Sequence, residues 1–547
     1  MQEDHMYQEW QGQTASSVIE YSTTTWADRA CFSFDGVIST YGDLAVGVAR
    51  TRASLAAFGV GRGDHVATFM GLSPRWAEVF FAALSLGAVI VPLNLTWTPR
   101  EAAQGMYLTD SKFLVVEGSY RGQSLWSVIE RALPGLTESR PGNLHASEAP
   151  TLKSIIALRS ENLSGNVPDY AFDLDHDADP AHAGPEAIVI EPEDWALMLL
   201  TSGTTSFPKS AILSHRALVC GWATFADGAE VTDHSIFVNC APNYHVAGII
   251  TMGITLMRGA LDIMMRWFDP DRALELIGSE KATHFWGFDT HFAMMRDAPS
   301  YGRWSLGSVK HTIAASNSAA SRSIVEMGFE HHGGVYGSTE YMGQQSFFPR
   351  RDLRDSNRML KSNGRATSGQ LRIVDIDTGV MLGPNQTGEI CVRGPSLFSG
   401  YYKRDDETAK CMDSDGFFHS GDRGYLDEQG YLYYLGRYKE MIKSGGENVS
   451  ILEVELFVAG EVPGVRRVAV CGTPHPKWGE AVTAVVVPAR GTTEEDILAA
   501  CRGALAPYKI PKRIVFVEES QWSVTPTGKV DRKAMRQIAL AALGLAD

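Results

Sequence analysis

The residues best suited to chemistry are concentrated in the segment 199–215, LLTSGTTSFPKSAILSH. An apolar, strand-like run (WALMLL, 195–200) leads into Thr201, Ser202, Gly203, Thr204, Thr205, Ser206 and Lys209. Several hydroxyls, free backbone N–H groups on a flexible loop and one ammonium are what a polyphosphate requires of a cradle. The GxxxxGK[ST] spacing of a Walker A loop is missing, and Lys209 is followed by Ser210 and an apolar strand, AIL. Taken alone, the segment reads equally well as a Ser/Thr-rich hairpin.

Other segments decide between these readings. TSGTTSFPKS resembles the phosphate-binding signature of the adenylate-forming superfamily, which comprises acyl-CoA synthetases, adenylation domains of peptide synthetases and beetle luciferases. The resemblance continues in chain order through YGSTE (336–340), TGEICVRGPSLFSGYY (from 387), HSGDRGYLDEQGYL (from 419), GRYKEMIKSGGENVSILEVE (436–455) and PTGKVDRK (526–533). An ordered set of this kind is far more specific than any one pattern.

The resemblance implies a role for each block. Tyr336 would stack on adenine, with Gly337 and Ser338 beside the nucleotide. Thr339 would donate to the α-phosphate, and Glu340 would offer a hard oxygen to Mg²⁺. Asp422 would accept from the ribose diol, and Arg437 would reach the ribose or phosphates. Lys529 is the lysine that swings in to meet the α-phosphate, and Lys439 occupies the hinge. Ser444, Gly445 and Gly446 match the face lining a pantetheine tunnel. His245 matches the histidine at the entrance to the acyl pocket, for which Trp286, Asp289, His291, Asn317, Tyr341 and Met342 are candidate lining.

The implied activity is an AMP-forming acid–CoA ligase using ATP, Mg²⁺ and coenzyme A. A carboxylate already ionised at pH 7 attacks the α-phosphorus, and a thiol then takes the acyl group from AMP. The alternatives are an acyl-AMP ligase loading a carrier protein and a luciferase-like oxidoreductase. Three departures from the family pattern bear on substrate and nucleotide. Ser206 and Ser210 replace loop glycines, where an added Cβ stiffens the backbone. AASNSAAS (314–321) replaces a small-residue run ending in Pro, and Gly334 stands where an amide is common. The mixed pocket suggests a small or functionalised acid rather than a long-chain one.

The elements that must hold these residues are of α/β type. Residues 30–135 alternate helical patterns with short β-branched runs such as HVATFM, AVIVPL and FLVVEG, predicting layered sheets with buried parallel strands. GVGRGD (59–64) precedes a strand and is a turn, not a dinucleotide fingerprint. Residues 134–193 are polar, and the cluster Asp173, Asp175, His176, Asp177, Asp179 and His182 reads as a surface loop. After LGRYK (435–439) the chain has its own alternation of helix and strand. The expected organisation is therefore a large multi-subdomain body (1–436), a hinge (437–439) and a small α+β lid (440–547).

Composition bounds the partners. With 49 basic and 64 acidic side chains the chain carries net charge −15, which argues against nucleic acid and leaves a small-molecule acid as partner. Homo-oligomerisation is compatible with the sequence. Seven cysteines, widely spaced and with no CxxC or Cys/His ligand pattern, imply reduced thiols and a cytoplasmic location. The N-terminus has no apolar secretory signal. The most membrane-like stretch, 79–95, is broken by Gly87, Pro92 and Asn94, so a buried helix, a Gly turn and a core strand at 88–91 are expected.

Overall fold

Strands covered on both faces read as unbroken apolar runs, and His65–Phe69, Val89–Pro92 and Phe113–Val116 are buried along their whole length. In the computed structural model of the chain they form the centre of a largely parallel sheet. The structure describes residues 8–158, 167–175, 188–201, 208–287, 289–315, 324, 326–329, 332–343, 345–348, 358, 361–367, 369–444, 447–525 and 528–545.

Among these residues the body contains an eight-stranded and a nine-stranded sheet. Successive residues of one strand serve different cores, as the two-residue period requires. Val66 and Ile90 point into one cluster, whereas Ala67, Val89 and Val91 point into another. Phe237 and Val238 divide in the same way in the nine-stranded sheet. The shared cluster takes in residues of both sheets and of helices Pro74–Ser85, His215–Gly228 and Val246–Arg258, so these helices are packed between the sheets. Helices Pro99–Leu108 and Leu125–Ala132 cover the far face of the first sheet; Pro270–Ser279 and Asp289–Arg296 cover that of the second. The result is the layered α/β body expected from the alternation.

A four-stranded antiparallel sheet, Gln370–Val374, Gly388–Arg393, Phe418–Leu426 and Leu432–Arg437, follows. One 3₁₀ turn, Tyr438–Glu440, separates it from a five-stranded sheet carrying helices Ile451–Glu461, Glu494–Ala504 and Arg532–Ala542. This C-terminal unit has core clusters of its own, centred on Val454, Val482 and Ile497 and on Val485, Val515 and Met535.

The apolar stretch 79–95 resolves as helix Pro74–Ser85, capped by Ser73, then Gly87 at φ +71 and strand Val89–Pro92. Among the described residues no helix is long and apolar enough to cross a membrane. GVGRGD is a turn, with Asp64 accepting from the Gly61 N–H at 2.9 Å. Of the Asp/His cluster, Asp173 is buried in a short strand and Asp175 pairs with Arg75 at 2.6 Å; His176, Asp177, Asp179 and His182 lie outside the described residues.

Gly253 shows how tightly the middle layer is packed. A Cβ there would lie 2.1 Å from Trp222 Cε2, and Trp222 is fully buried. Gly253→Ala is expected to destabilise the body by about 1–3 kcal/mol, read as a lower denaturant midpoint. An unchanged midpoint would show that the two helices do not cross this closely.

Candidate active site

The phosphate hairpin is pinned at its ends. Strands Trp195–Thr201 and Lys209–Ser214 pair antiparallel with Thr201 opposite Lys209, and Thr201 Oγ1 donates to the Lys209 carbonyl at 3.2 Å. Ser202, Gly203, Thr204, Thr205 and Ser206 lie outside the described residues. Ser210 sits inside the strand opposite Leu200, where extended backbone suits any residue, so the stiffening expected of its Cβ does not arise.

Lys209 does not stand alone. Its ammonium pairs with Glu407 and lies 4.7 Å from the centre of the Tyr401 ring. Tyr401, brought there because Gly400–Tyr401 pairs with the hairpin strand, donates its hydroxyl to Glu340 Oε1 at 2.8 Å. Burial first, and then the Glu340 charge, hold the Tyr401 phenol far above its ordinary pKa, so it remains a donor. Ser338 donates to the other Glu340 oxygen at 2.6 Å and caps the 3₁₀ turn Thr339–Tyr341 by accepting from the Glu340 N–H. The hairpin lysine and the proposed metal carboxylate are thus joined through one ring.

Asp422 lies on strand Phe418–Leu426 directly opposite Arg437. It is 5% exposed, accepts from the Tyr336 hydroxyl at 2.7 Å on Oδ2, and has Oδ1 at 3.2 Å from Arg437 Nε. That Oδ1 contact is an ion pair without hydrogen-bond alignment, leaving a buried acceptor that a ribose hydroxyl could satisfy. Burial raises the Asp422 pKa and the Arg437 charge opposes it. Tyr336 ends strand His332–Tyr336, in tilted contact with Tyr341 and Tyr434, each at 5.8 Å; Gly337 after it is exposed. The missing amide at 334 has a steric reason, since a Cβ on Gly334 would come within 2.2 Å of the Ser362 carbonyl oxygen.

Beyond Arg437 come the exposed Lys439 and then Glu440. Ser444 is buried at the end of strand Met441–Ser444, opposite Gly479 and Glu447; Gly445 and Gly446 lie outside the described residues. Lys529 comes from a turn of the C-terminal unit, where the Thr525 N–H donates to its carbonyl at 2.6 Å and its own N–H donates to Thr525 Oγ1 at 3.2 Å. Lys529 keeps exposed surface, yet many atoms crowd around it. Burial first, and then Arg437, lower its pKa, opposed by Glu440 and Asp422.

His245, from the body, is close enough to this lysine to feel its charge. It is the N-cap of Val246–Arg258, with Nδ1 accepting from the Ala247 N–H at 3.2 Å, which assigns the proton of the neutral ring to Nε2. Burial, and then Lys529, push its pKa down to about 3, so it is a neutral donor at physiological pH.

The residues expected to line the acyl pocket are only partly brought together. Trp286 packs among Phe225 at 4.7 Å and Phe237 at 5.2 Å, on the central-layer side of its sheet. Tyr341 is fully buried in the same cluster, as is Met342, which packs on Gly221. His291 instead rests against Phe268 at 4.4 Å, on the opposite side. Asn317 and the Asp289 side chain lie outside the described residues.

Comparison with known proteins names the fold that carries this cleft. The AMP-binding enzyme model matches residues 19–402, and the AMP-binding enzyme C-terminal domain model matches 453–529. The chain belongs to the AMP-binding enzyme family. It is 28% identical to the putative acyl-CoA synthetase YngI of Bacillus subtilis, over 97% of this chain and 98% of that protein. It is 32% identical to the indoleacetate–CoA ligase of Aromatoleum aromaticum, over 91% and 93%. The crystal structure of ATP-bound MatB from Rhodopseudomonas palustris superposes with a TM-score of 0.80 at 27% identity, covering 96% of this chain and 99% of that one. These relatives make this AMP-binding enzyme an acid–CoA ligase of the AMP-forming type.

Sequence reasoning missed Glu407 and quoted Tyr401 and Glu440 only as parts of blocks. Tyr401 carries a signal in its position at the end of that block, but RDDETAK reads as the charged start of a helix. Nothing in that run marks Glu407 as the partner of Lys209. Asp422→Asn is expected to raise the KM for ATP about tenfold, the weight of one charge-assisted hydrogen bond. An unchanged KM would remove Asp422 from the nucleotide site.

Proposed function

We propose that this cleft joins a carboxylic acid to coenzyme A through an acyl-adenylate, with ATP as adenylyl donor. The observation that supports the reading is the Asp422–Arg437 pair at 3.2 Å, with Lys529 near enough to feel both charges and His245 near enough to feel Lys529. A carboxylate oxygen bonds to the α-phosphorus as the bond to pyrophosphate breaks; no base is needed, because the acid is already ionised. Lys209, Arg437 and Lys529 offset the charge gathered there, and the Nε2–H of His245 orients an oxygen of the acid. Thr201, Ser202, Gly203, Thr204 and Thr205 cradle the phosphates, Thr339 donates to the α-phosphate, Tyr336 with Gly337 and Ser338 borders adenine, and Asp422 holds the ribose.

Glu340 fits the Mg²⁺ that such phosphates bring. Its two oxygens are fixed by Ser338 and Tyr401 and keep lone pairs for a hard cation. Bound with the phosphates, Mg²⁺ would neutralise part of their charge. In the second step the coenzyme A thiolate bonds to the acyl carbon, the bond to AMP breaks, and the thiol proton passes to water. In our reading the chain divides into a body (1–436), a hinge (437–439) and a lid (440–547). Rotation at Lys439 withdraws Lys529 and presents Ser444, Gly445 and Gly446 to the pantetheine arm.

The acid we infer is compact or functionalised. Trp286, Phe225, Tyr341 and Met342 belong to one packed cluster, which we take to border the acyl pocket and to leave little room for a long alkyl chain. Trp286 Nε1 and the Tyr341 hydroxyl are buried without a well-formed hydrogen bond, so a polar acyl group would find donors there. None of the seven cysteines is in a disulfide, which fits a cytoplasmic location.

The chain with ATP, Mg²⁺ and an acid panel is expected to release pyrophosphate and, with coenzyme A, to form a thioester. No CoA-dependent thioester from any acid would overturn the reading, and palmitate outpacing every short, aromatic or polar acid would overturn the substrate class. The pH profile of adenylation is expected to lose activity on its basic limb below the free-lysine value of about 10.4. Lys529→Arg, always protonated, should abolish that limb; a limb that persists belongs to another group.

A further inference from the structure

Outside the nucleotide cleft the four-stranded sheet gathers a second set of ligand atoms. Cys391 on Gly388–Arg393 stands between Arg372 on Gln370–Val374 and His419 on Phe418–Leu426 in directly paired positions. Glu389 lies two residues before Cys391, and an irregularity in register between them brings it within reach of the same histidine. His419 Nδ1 is 2.7 Å from Glu389 Oε2 and 3.5 Å from Cys391 Sγ. Glu389 and Cys391 are buried, and His419 is half-buried.

We propose that Glu389, Cys391 and His419 form a binding site for a soft divalent cation of the zinc class, distinct from the Mg²⁺ carboxylate Glu340. Around a tetrahedral zinc ion with bonds of about 2.0–2.3 Å, neighbouring ligand atoms lie about 3.3–3.7 Å apart. The His419–Cys391 spacing already meets that, and the His419–Glu389 spacing needs to open by about half an ångström to reach the lower end. A thiolate, an imidazole and a carboxylate are a zinc-type ligand set, with water as fourth ligand reached past the partly open His419 ring.

The outer partners have the pattern of a metal-bound histidine. His419 Nε2 lies 3.3 Å from Asp413 Oδ2, and Asp413 is in turn held by Arg372. A carboxylate on the far ring nitrogen fixes the tautomer that leaves Nδ1 to the metal. Glu389 uses Oε1 to accept from the Gly421 N–H at 2.8 Å, leaving Oε2 as ligand. Coordination would release the Cys391 thiol proton to water. Arg372 also pairs with Asp415 at 3.1 Å, so its charge is spread over two carboxylates.

The site is tied to the nucleotide, because Gly421 leads directly to Asp422. Occupancy that moves Glu389 or His419 moves the turn that aims the ribose carboxylate.

Titration of the full chain with Co²⁺ tests the assignment. One Co²⁺ per chain with thiolate charge-transfer absorption, displaced by Zn²⁺, is expected. Cys391→Ser should abolish that absorption and weaken Zn²⁺ about tenfold or more, and Asp413→Asn should weaken it about tenfold while keeping the absorption. Turnover by both variants without added zinc is the check that they fold. Absence of the thiolate band in the wild type, or its persistence in Cys391→Ser, overturns the proposal. Persistence would point to Cys411, which lies near Glu340.

Discussion

In the proposed reading three cations serve one anionic centre in a chain whose net charge is −15, and the site depends on how their mutual repulsion is managed. Lys529 and Arg437 lie close enough to lower the lysine's proton affinity, and Asp422 and Glu440 face both. Lys209 has its own counterion in Glu407 and an aromatic face in Tyr401. Each cation is therefore held beside a carboxylate, which keeps otherwise repulsive charges compatible with a folded chain.

The layers of the body serve that arrangement. The parallel strands are buried on both faces, so the functional side chains come from what lies at strand ends and edges. Lys209 is on the hairpin appended to the eight-stranded sheet, Glu340 follows the strand that ends at Tyr336, and Asp422 and Arg437 face each other on the antiparallel sheet. His245 starts the helix Val246–Arg258 that lies between the two large sheets. Lys529 comes from the C-terminal unit, which follows the turn Tyr438–Glu440 and has core clusters of its own.

The sequence revealed those parts of this picture whose signals are local. The alternation of apolar runs foretold the layered sheets, and the Gly87 break separated a buried helix from a core strand. The ordered blocks marked Lys209, Tyr336, Asp422, Arg437 and Lys529 as a set. Pairing across long separations was invisible. Nothing local joins Lys209 to Glu407, and the spacing that seemed to exclude any Cys/His ligand group could not register Cys391 opposite His419 on neighbouring strands. Nor did anything local show that His291 packs against Phe268, in a different cluster from Trp286.

The central claim is that Lys529 serves the adenylation step and leaves before thioester formation. Its most direct test compares the two half-reactions of Lys529→Ala: pyrophosphate formation from acid and ATP, and thioester formation from a preformed acyl-adenylate with coenzyme A. The account predicts that the first falls by about two orders of magnitude or more, as for loss of one positioned charge contact, while the second is largely kept. Equal loss in both halves would contradict it.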